Sequence, residues 1–252
     1  NAAIVENVAT GEGLLIDCGI CKRDFLSRCD EAEFDLRRLR GVLITHEHTD
    51  HTKGLGVVYR GLTKLGVHPT LFTGQAVRNA SRDIGELLEQ DLCDIVSFAA
   101  GGGIDLAGFA IHAFATSHDV AQSFGFRVEC GGDAIGYVTD TGVVTPQAHE
   151  ALGGCRLLAI EANHDPKMLA EGPYPYSLKR RIASERGHLS NEQAAAELMS
   201  LLHDGLEAVI AMHVSENNND YELPAVALRE ALAHEGHGAV VHVAYQRKLV
   251  SI

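Results

Sequence analysis

Positive charge is scarce in this chain. Twenty-one Lys and Arg stand against 34 Asp and Glu over 252 residues, a formal net charge of -13. That excludes holding nucleic acid by bulk attraction, so a polyanionic partner must meet a local basic patch or a bound metal. Long apolar runs are missing too. None approaches the ~20 residues needed to span a bilayer, and no secretory leader is visible. Proline is limited to 6 residues, and with 46% hydrophobic and 22% charged residues the composition excludes disorder and fibrous repeats. No repeat, linker or low-complexity tract marks a boundary, so one domain over 1–252 is expected. The six cysteines stand at 18, 21, 29, 93, 130 and 155. Cys18-Gly-Ile-Cys21 has no second CxxC, whereas a structural zinc site wants four ligands. The thiols therefore read as ordinary buried side chains in a reducing, cytoplasmic setting. No nucleophile-elbow serine and no credible Cys-His pair is present.

What is there is patterned. Residues 13–17 and 41–45 read as short buried strands, with a helix or turn over 29–40 between them. A helix or extended loop follows to about Leu65, then a strand at 70–73 and a helix over 75–89. Hairpins are expected for 104–106 with 109–114, and for 123–130 with 134–139 across Gly131-Gly132. Strands at 157–161, 207–212 and 239–243 alternate with two helices, with a short last strand at 248–251. Ser190 and Gln193 form a capping box for the first of these helices; Pro224 suits the first turn of the second. Hairpins early and strand-helix alternation late fit an α/β fold of two packed sheets with helices outside, a four-layer αββα sandwich.

The strongest chemical signal is His46-x-His48-x-Asp50-His51, three imidazoles and a carboxylate within six residues, directly after a strand. Such a donor set suits zinc or another divalent transition ion. His118, Asp140 and His213 occupy comparable places, each just beyond an apolar strand, where a rigid sheet can present them. His188 lies two residues before the helix cap. It is placed to donate a proton or stabilise a phosphoryl oxygen, and Glu161, at the end of a strand, is placed to orient it. Lys179, Arg180, Arg181 and Arg186 are the densest basic run, suited to gripping phosphate.

The ordered set Leu14-Leu-Ile-Asp17-Cys-Gly19, Thr45-His-Glu-His-Thr-Asp-His51, His118, Thr139-Asp140-Thr-Gly142 and His213 resembles the metallo-β-lactamase fold superfamily. The resemblance implies an αββα sandwich whose usual first strand precedes Asn1. It also implies a site for two divalent ions, zinc or manganese, with iron or nickel as alternatives. His46, His48 and His118 would hold one ion, and Asp50, His51 and His213 the other. Asp140 would bridge them, and Asp17 would support the ligand loop. The nucleophile would be a hydroxide between the ions. The run Glu161-Ala-Asn-His-Asp165, Gly172-Pro-Tyr-Pro175, Gly187-His-Leu-Ser-Asn191 and His213-x-Ser-x-x-Asn-Asn219 is similar to the YycJ (WalJ/VicX) group, near ribonuclease Z and the cyclic phosphodiesterases. That likeness implies a 5′ to 3′ DNA exonuclease, with Asp50, His188 and Glu161 as catalytic groups. Asn163, Ser215 and Asn218 would touch the substrate together with the basic run. Only 73 positions separate Asp140 from His213, which leaves no room for a β-CASP insertion. The alternative is a small-molecule cyclic phosphodiesterase or a thioesterase, which the net charge favours. DNA or another phosphodiester is thus the expected partner, with no membrane.

Overall fold

The computed structural model describes residues 1–252. The chain divides into two compact units. One comprises Asn1–Ala110 with Val120–Phe124 and Ser251; the other comprises Ile111–Asp119 with Gly125–Val250 and Ile252.

The first unit holds a five-stranded sheet in the order β1 (Ala3–Asn7), β2 (Glu12–Ile16), β3 (Leu39–Leu43), β4 (Thr70–Gly74), β5 (Ile95–Phe98). β1 runs antiparallel to β2, and the other neighbours are parallel. Leu14, Leu15, Ile16, Val42, Leu43 and Ile44 are at most 1% exposed. These continuous apolar runs are what a parallel sheet covered on both faces demands. Each such side chain contributes roughly 1.5–3 kcal/mol by leaving water. The helices are α1 (Lys22–Glu31), α2 (Thr49–Thr52), α3 (Leu55–Lys64), α4 (Gln75–Ala80) and α5 (Arg82–Glu89).

The second sheet has the order β12 (Val240–Val243), β11 (Ala208–Met212), β10 (Leu157–Glu161), β9 (Asp133–Val138), β8 (Phe124–Cys130), β7 (Phe109–Ala115), β6 (Gly103–Leu106). β9 to β12 are mutually parallel, and β8 meets β9 in an antiparallel hairpin. Gly131 and Gly132 turn that hairpin with φ of 60° and 87°, the left-handed pair that a two-residue turn requires. The helices here are α6 (Pro146–Leu152), α7 (Pro166–Glu171), α8 (Tyr176–Ile182), α9 (Asn191–Leu201) and α10 (Glu222–His234). Leu198 and Leu201 of α9 and Leu228 and Leu232 of α10 bury themselves with Ile160, Val209 and Val241 of the sheet.

Several expectations need correction. The helix anticipated over 75–89 is two helices, because Ser81 leaves helical geometry and caps α5 through Ile84 N–H, 3.3 Å. Helix near the first turn lies at 22–31, not 29–40, and only a short 3-10 turn at Leu36–Arg38 precedes β3. Residues 248–251 form no strand. β1 and β5 were not legible in the sequence. The capping box is as expected: Gln193 N–H donates to Ser190 Oγ at 3.1 Å, and Ser190 N–H to Gln193 Oε1 at 2.9 Å.

Polar residues follow the carboxyl ends of the parallel strands. Asp17 follows β2, Thr45 and His46 lie just past β3, Asp140 past β9, Glu161 ends β10, and His213 follows β11. Asp17, Asp140 and His213 all have positive φ, 59°, 50° and 54°. A non-glycine residue pays for that conformation with strain of order 1–3 kcal/mol, and such residues cluster where function needs a side chain re-aimed.

Candidate functional site

In the first unit the cluster is the loop from Thr45 to His51 with Asp17 beneath it. Asp17 is fully buried. Its Oδ1 accepts from Thr45 N–H at 2.9 Å, and its carboxylate also takes the Thr45 hydroxyl at 3.0 Å. Its Oδ2 lies 2.7 Å from His51 Nδ1. A carboxylate there places the proton on Nδ1 and the lone pair on Nε2, the tautomer in which histidine binds metal; in this structure the Asn1 side-chain nitrogen lies 2.9 Å from that Nε2. His51 Nε2 lies 3.3 Å from Asp50 Oδ2. His46 Nδ1 lies 3.0 Å from Thr45 Oγ1, while its Nε2 comes within 3.1 Å of His48 Nδ1. Gly19 allows this packing: a Cβ there would lie 1.5 Å from the Asp50 carbonyl oxygen.

In the second unit the cluster is built at strand ends. His118 Nδ1 donates to the Gly187 carbonyl, 3.2 Å, and turns Nε2 toward Asp140 Oδ1, 3.7 Å away. His213 Nδ1 donates to Glu161 Oε1, 2.7 Å, and turns its Nε2 to the same Asp140 oxygen, 3.6 Å away. Thr139 Oγ1 donates to Asp140 Oδ2 at 2.8 Å. The lone pairs of two imidazoles thus face one carboxylate oxygen beyond hydrogen-bond range. Ligand atoms ~2.1 Å from a tetrahedral ion are about 3.4 Å apart, so this arrangement and donor set fit a divalent transition metal.

Glu161 is fully buried and serves two imidazoles. Its Oε1 also accepts from His188 Nδ1 at 2.8 Å, and its Oε2 takes Thr141 N–H at 2.8 Å. Burial alone would push this carboxyl up, but the His188 and His213 imidazoles outweigh it and hold it below the usual range. Burial opposes the charged form of His188, yet Glu161 raises it above the ordinary histidine value. The rings of His118, His188 and His213 line up, with centroids 5.0 and 5.2 Å apart. Ligand atoms of Asp140, Glu161, His188 and His213 all lie within 4.8 Å of one another.

Most of the residues expected to touch substrate have other partners, while the buried side-chain oxygen of Asn218 has none within the protein. Asn163 is buried and donates to the His213 carbonyl at 2.8 Å. Asn218 is 1% exposed, and Ser215 Oγ accepts the Asn217 and Asn218 amides in a turn. Arg181 forms a bidentate pair with Asp119, Lys179 reaches the Ala170 carbonyl at 2.6 Å, and Arg186 reaches the His118 carbonyl at 3.3 Å. Arg180 lies over the exposed Tyr176 ring, 6.0 Å from its centroid. The basic run is thus largely engaged within the protein. Sequence reasoning quoted Thr45 and Thr139 within its motifs without giving either a role, and it missed the Glu161–His213 bond, which depends on strand register alone. Of the CxxC pair, Cys18 is buried, with its thiol pushed up to about 12 by that burial, while Cys21 is exposed; all six cysteines are free.

The fold and the His/Asp arrangement define a metallohydrolase scaffold, and the beta-lactamase superfamily domain profile matches residues 13–214. The chain belongs to the metallo-β-lactamase superfamily. Within it, the chain is 30% identical over 225 residues to exodeoxyribonuclease YycJ of Bacillus anthracis, covering 89% of this chain and 83% of that protein. It is 31% identical over 230 residues to exodeoxyribonuclease WalJ of Streptococcus pneumoniae serotype 2, covering 90% and 83%. Among solved structures, the metallo-β-lactamase fold protein YhfI of Bacillus subtilis matches with a TM-score of 0.70 at 17% identity, covering 98% of this chain and 90% of that one. No helix is long and apolar enough to cross a membrane.

Proposed function

We propose that the protein is a metal-dependent phosphodiester hydrolase acting on DNA as an exonuclease, with two divalent ions in its site. The observation that carries the reading is the strand-end cluster: His118 and His213 aim Nε2 at Asp140 while Glu161 anchors both His213 and His188. In this reading His46, His48, Asp50, His51, His118, Asp140 and His213 are the residues that would hold the ions. Zinc or manganese suits these donors. When bound, the ions polarise the phosphate and lower the pKa of water.

The chain's own residues supply orientation and proton handling. Asp17 fixes the tautomer of His51, and Glu161 fixes that of His213. His188, 17% exposed at its side chain, keeps Nε2 for substrate because Nδ1 is committed to Glu161. A raised imidazole pKa keeps a proton available for the leaving oxygen or for a non-bridging oxygen. The names of the two relatives support DNA as substrate, and the 5′ to 3′ direction rests on the motif resemblance. The engaged basic run and the net charge of -13 favour one rival, a small phosphodiester.

One panel tests the proposal: metal-loaded protein with end-labelled single- and double-stranded DNA, RNA and an aryl phosphodiester, alongside His188→Ala. Progressive release of nucleotides from the DNA 5′ end is expected. His188→Ala should keep its metal content and lose turnover roughly 10²-fold or more. Turnover of the aryl ester alone refutes the DNA assignment, and undiminished His188→Ala turnover refutes the role of the imidazole.

A further inference from the structure

The chain has eight Phe, six Tyr and no Trp, and all but two of these rings are buried or half-buried. The exceptions are Tyr176, 76% exposed, and Tyr245, 38% exposed. Each carries a cation. Arg180 lies over the Tyr176 ring, 6.0 Å from its centroid, and the Lys248 ammonium lies 5.2 Å from that of Tyr245. Neither cation forms an ion pair, although Arg181, in the same basic run as Arg180, is held by Asp119. Both pairs flank the turn that follows His213. Asn217 Nδ2 donates to the Tyr174 hydroxyl at 3.0 Å, two residues before Tyr176. The neighbouring Glu216 faces Arg247 across 3.8 Å, and Arg247 stands between Tyr245 and Lys248 in the chain. At its other end α8 is tied to His188, whose N–H donates to the Ile182 carbonyl at 2.9 Å. With a helical rise of 1.5 Å per residue, Tyr176 stands about 9 Å along the axis from Ile182, a few nucleotide spacings of ~3.4 Å.

We infer that these two aromatic–cation pairs form a stacking track for unpaired nucleobases of a DNA strand whose scissile phosphate sits at the strand-end cluster. This rests on the functional reading above and names how the strand is held. A chain of net charge -13 does not hold a polyanion by bulk attraction. Base faces are uncharged and every base has one, so rings grip a strand without regard to its sequence, as an exonuclease requires. Tyr176 and Arg180 are four residues apart and share one helix face, so a base on the ring brings its phosphate beside the guanidinium. Lys248 stands in the same relation to Tyr245. The Tyr176 ledge is stiff: Pro173 and Pro175 bracket Tyr174, whose hydroxyl is bonded to Asn217. Little ordering is then left to occur on binding. A base paired inside a duplex offers no open face, so the track takes single strands and frayed ends.

The test uses the metal-loaded full chain as wild type, Tyr176→Leu, Tyr245→Leu and the two matching Tyr→Phe variants. The substrates are an oligothymidylate of ~8 nucleotides and the same strand with abasic sites at every position but the terminal nucleotides. Thermal unfolding of each protein is recorded beside KM and kcat. Each Leu variant should raise KM for the intact strand about 5–150-fold, with a smaller change in kcat, and each Phe variant should match the wild type. On the abasic strand the wild type and both Leu variants should share one raised KM, since ring and base then have no partner to lose. Unchanged KM in either Leu variant overturns the paired track. Equal losses on intact and abasic strands overturn it too, because the ring then serves the fold or the backbone. The wild type alone is a further check that needs no variant: DNA cleavage with the same KM on both strands overturns the inference and leaves the nuclease reading standing. A wild type that turns over an aryl phosphodiester but neither strand overturns the DNA assignment and this inference with it.

Discussion

Replacing Glu161 with Gln changes one atom and reverses a hydrogen-bonding polarity. The Oε2 position faces two main-chain donors, Thr141 N–H at 2.8 Å and Leu189 N–H at 3.4 Å. The glutamine oxygen is therefore held there, and its NH2 falls where Oε1 now accepts from His213 at 2.7 Å and His188 at 2.8 Å. Donor then faces donor. His213 escapes only by moving its proton to Nε2, which removes the lone pair aimed at Asp140. Two hydrogen bonds to a charged group, each worth about 1.5–3 kcal/mol, are lost or weakened. Allowing for partial recovery, the metal-free protein should lose roughly 3 kcal/mol, a fall in Tm of about 6–12 °C for a chain of this size. Metal affinity should fall about 10–100-fold, and diesterase turnover should fall further because His188 loses its anchor. Differential scanning calorimetry of the metal-free protein, metal titration and a steady-state assay read the three effects separately. A Glu161→Gln protein with wild-type affinity and turnover within about twofold would refute the claim that this carboxylate sets both tautomers.

Other perturbations test other parts of the structure. Gly19→Ala forces a Cβ to within 1.5 Å of the Asp50 carbonyl, so the backbone must shift; thermal unfolding should show a loss of about 3 kcal/mol or more. Asp133, gripped by Arg156 Nε and Nη2, has its carboxyl held below the ordinary range. That pair adds stability above the unfolded carboxylate pKa, and the contribution disappears as pH falls through the lower folded value. Both partners are 41% exposed, so Asp133→Asn should cost under about 1 kcal/mol at pH 7, with the difference from wild type closing in acid, as urea unfolding at several pH values would show. Alkylation of the native protein at pH 8 should modify exposed Cys21 and spare Cys18 and Cys29, whose buried thiols are pushed up to about 12 and about 11; peptide mass spectrometry checks this.

The His46–His51 cluster stood out because its donors are neighbours in sequence. His118, Asp140 and His213 were legible because each follows an apolar strand, so the strand pattern gives the side chain's address. The double use of Glu161 was not. It arises because β10 and β11 pair in parallel with Glu161 opposite Met212, which sets Glu161 beside His213. Neither that adjacency nor its register can be read from periodicity. The break at Ser81 was hidden for a different reason: the apolar spacing of 75–89 runs through it, and only the cap bond to Ile84 shows where the helix restarts. The basic run looked free because its acceptors are far off in the chain or on the main chain. Asp119 lies 62 positions from Arg181, and Lys179 is held by the Ala170 carbonyl.

The three strand-end groups, His118, Asp140 and His213, come from loops separated by most of the second unit's length. Pairing of β9, β10 and β11 brings the latter two into line. A nascent chain therefore lacks this part of the site until residues beyond Met212 have been synthesised and β11 has docked. The loop from His46 to His51 needs only β2 and β3 and can take shape far earlier. Ion capture by the strand-end cluster should thus be a late event in the biogenesis of the protein, and the first fragment made should offer passing cations only the loop.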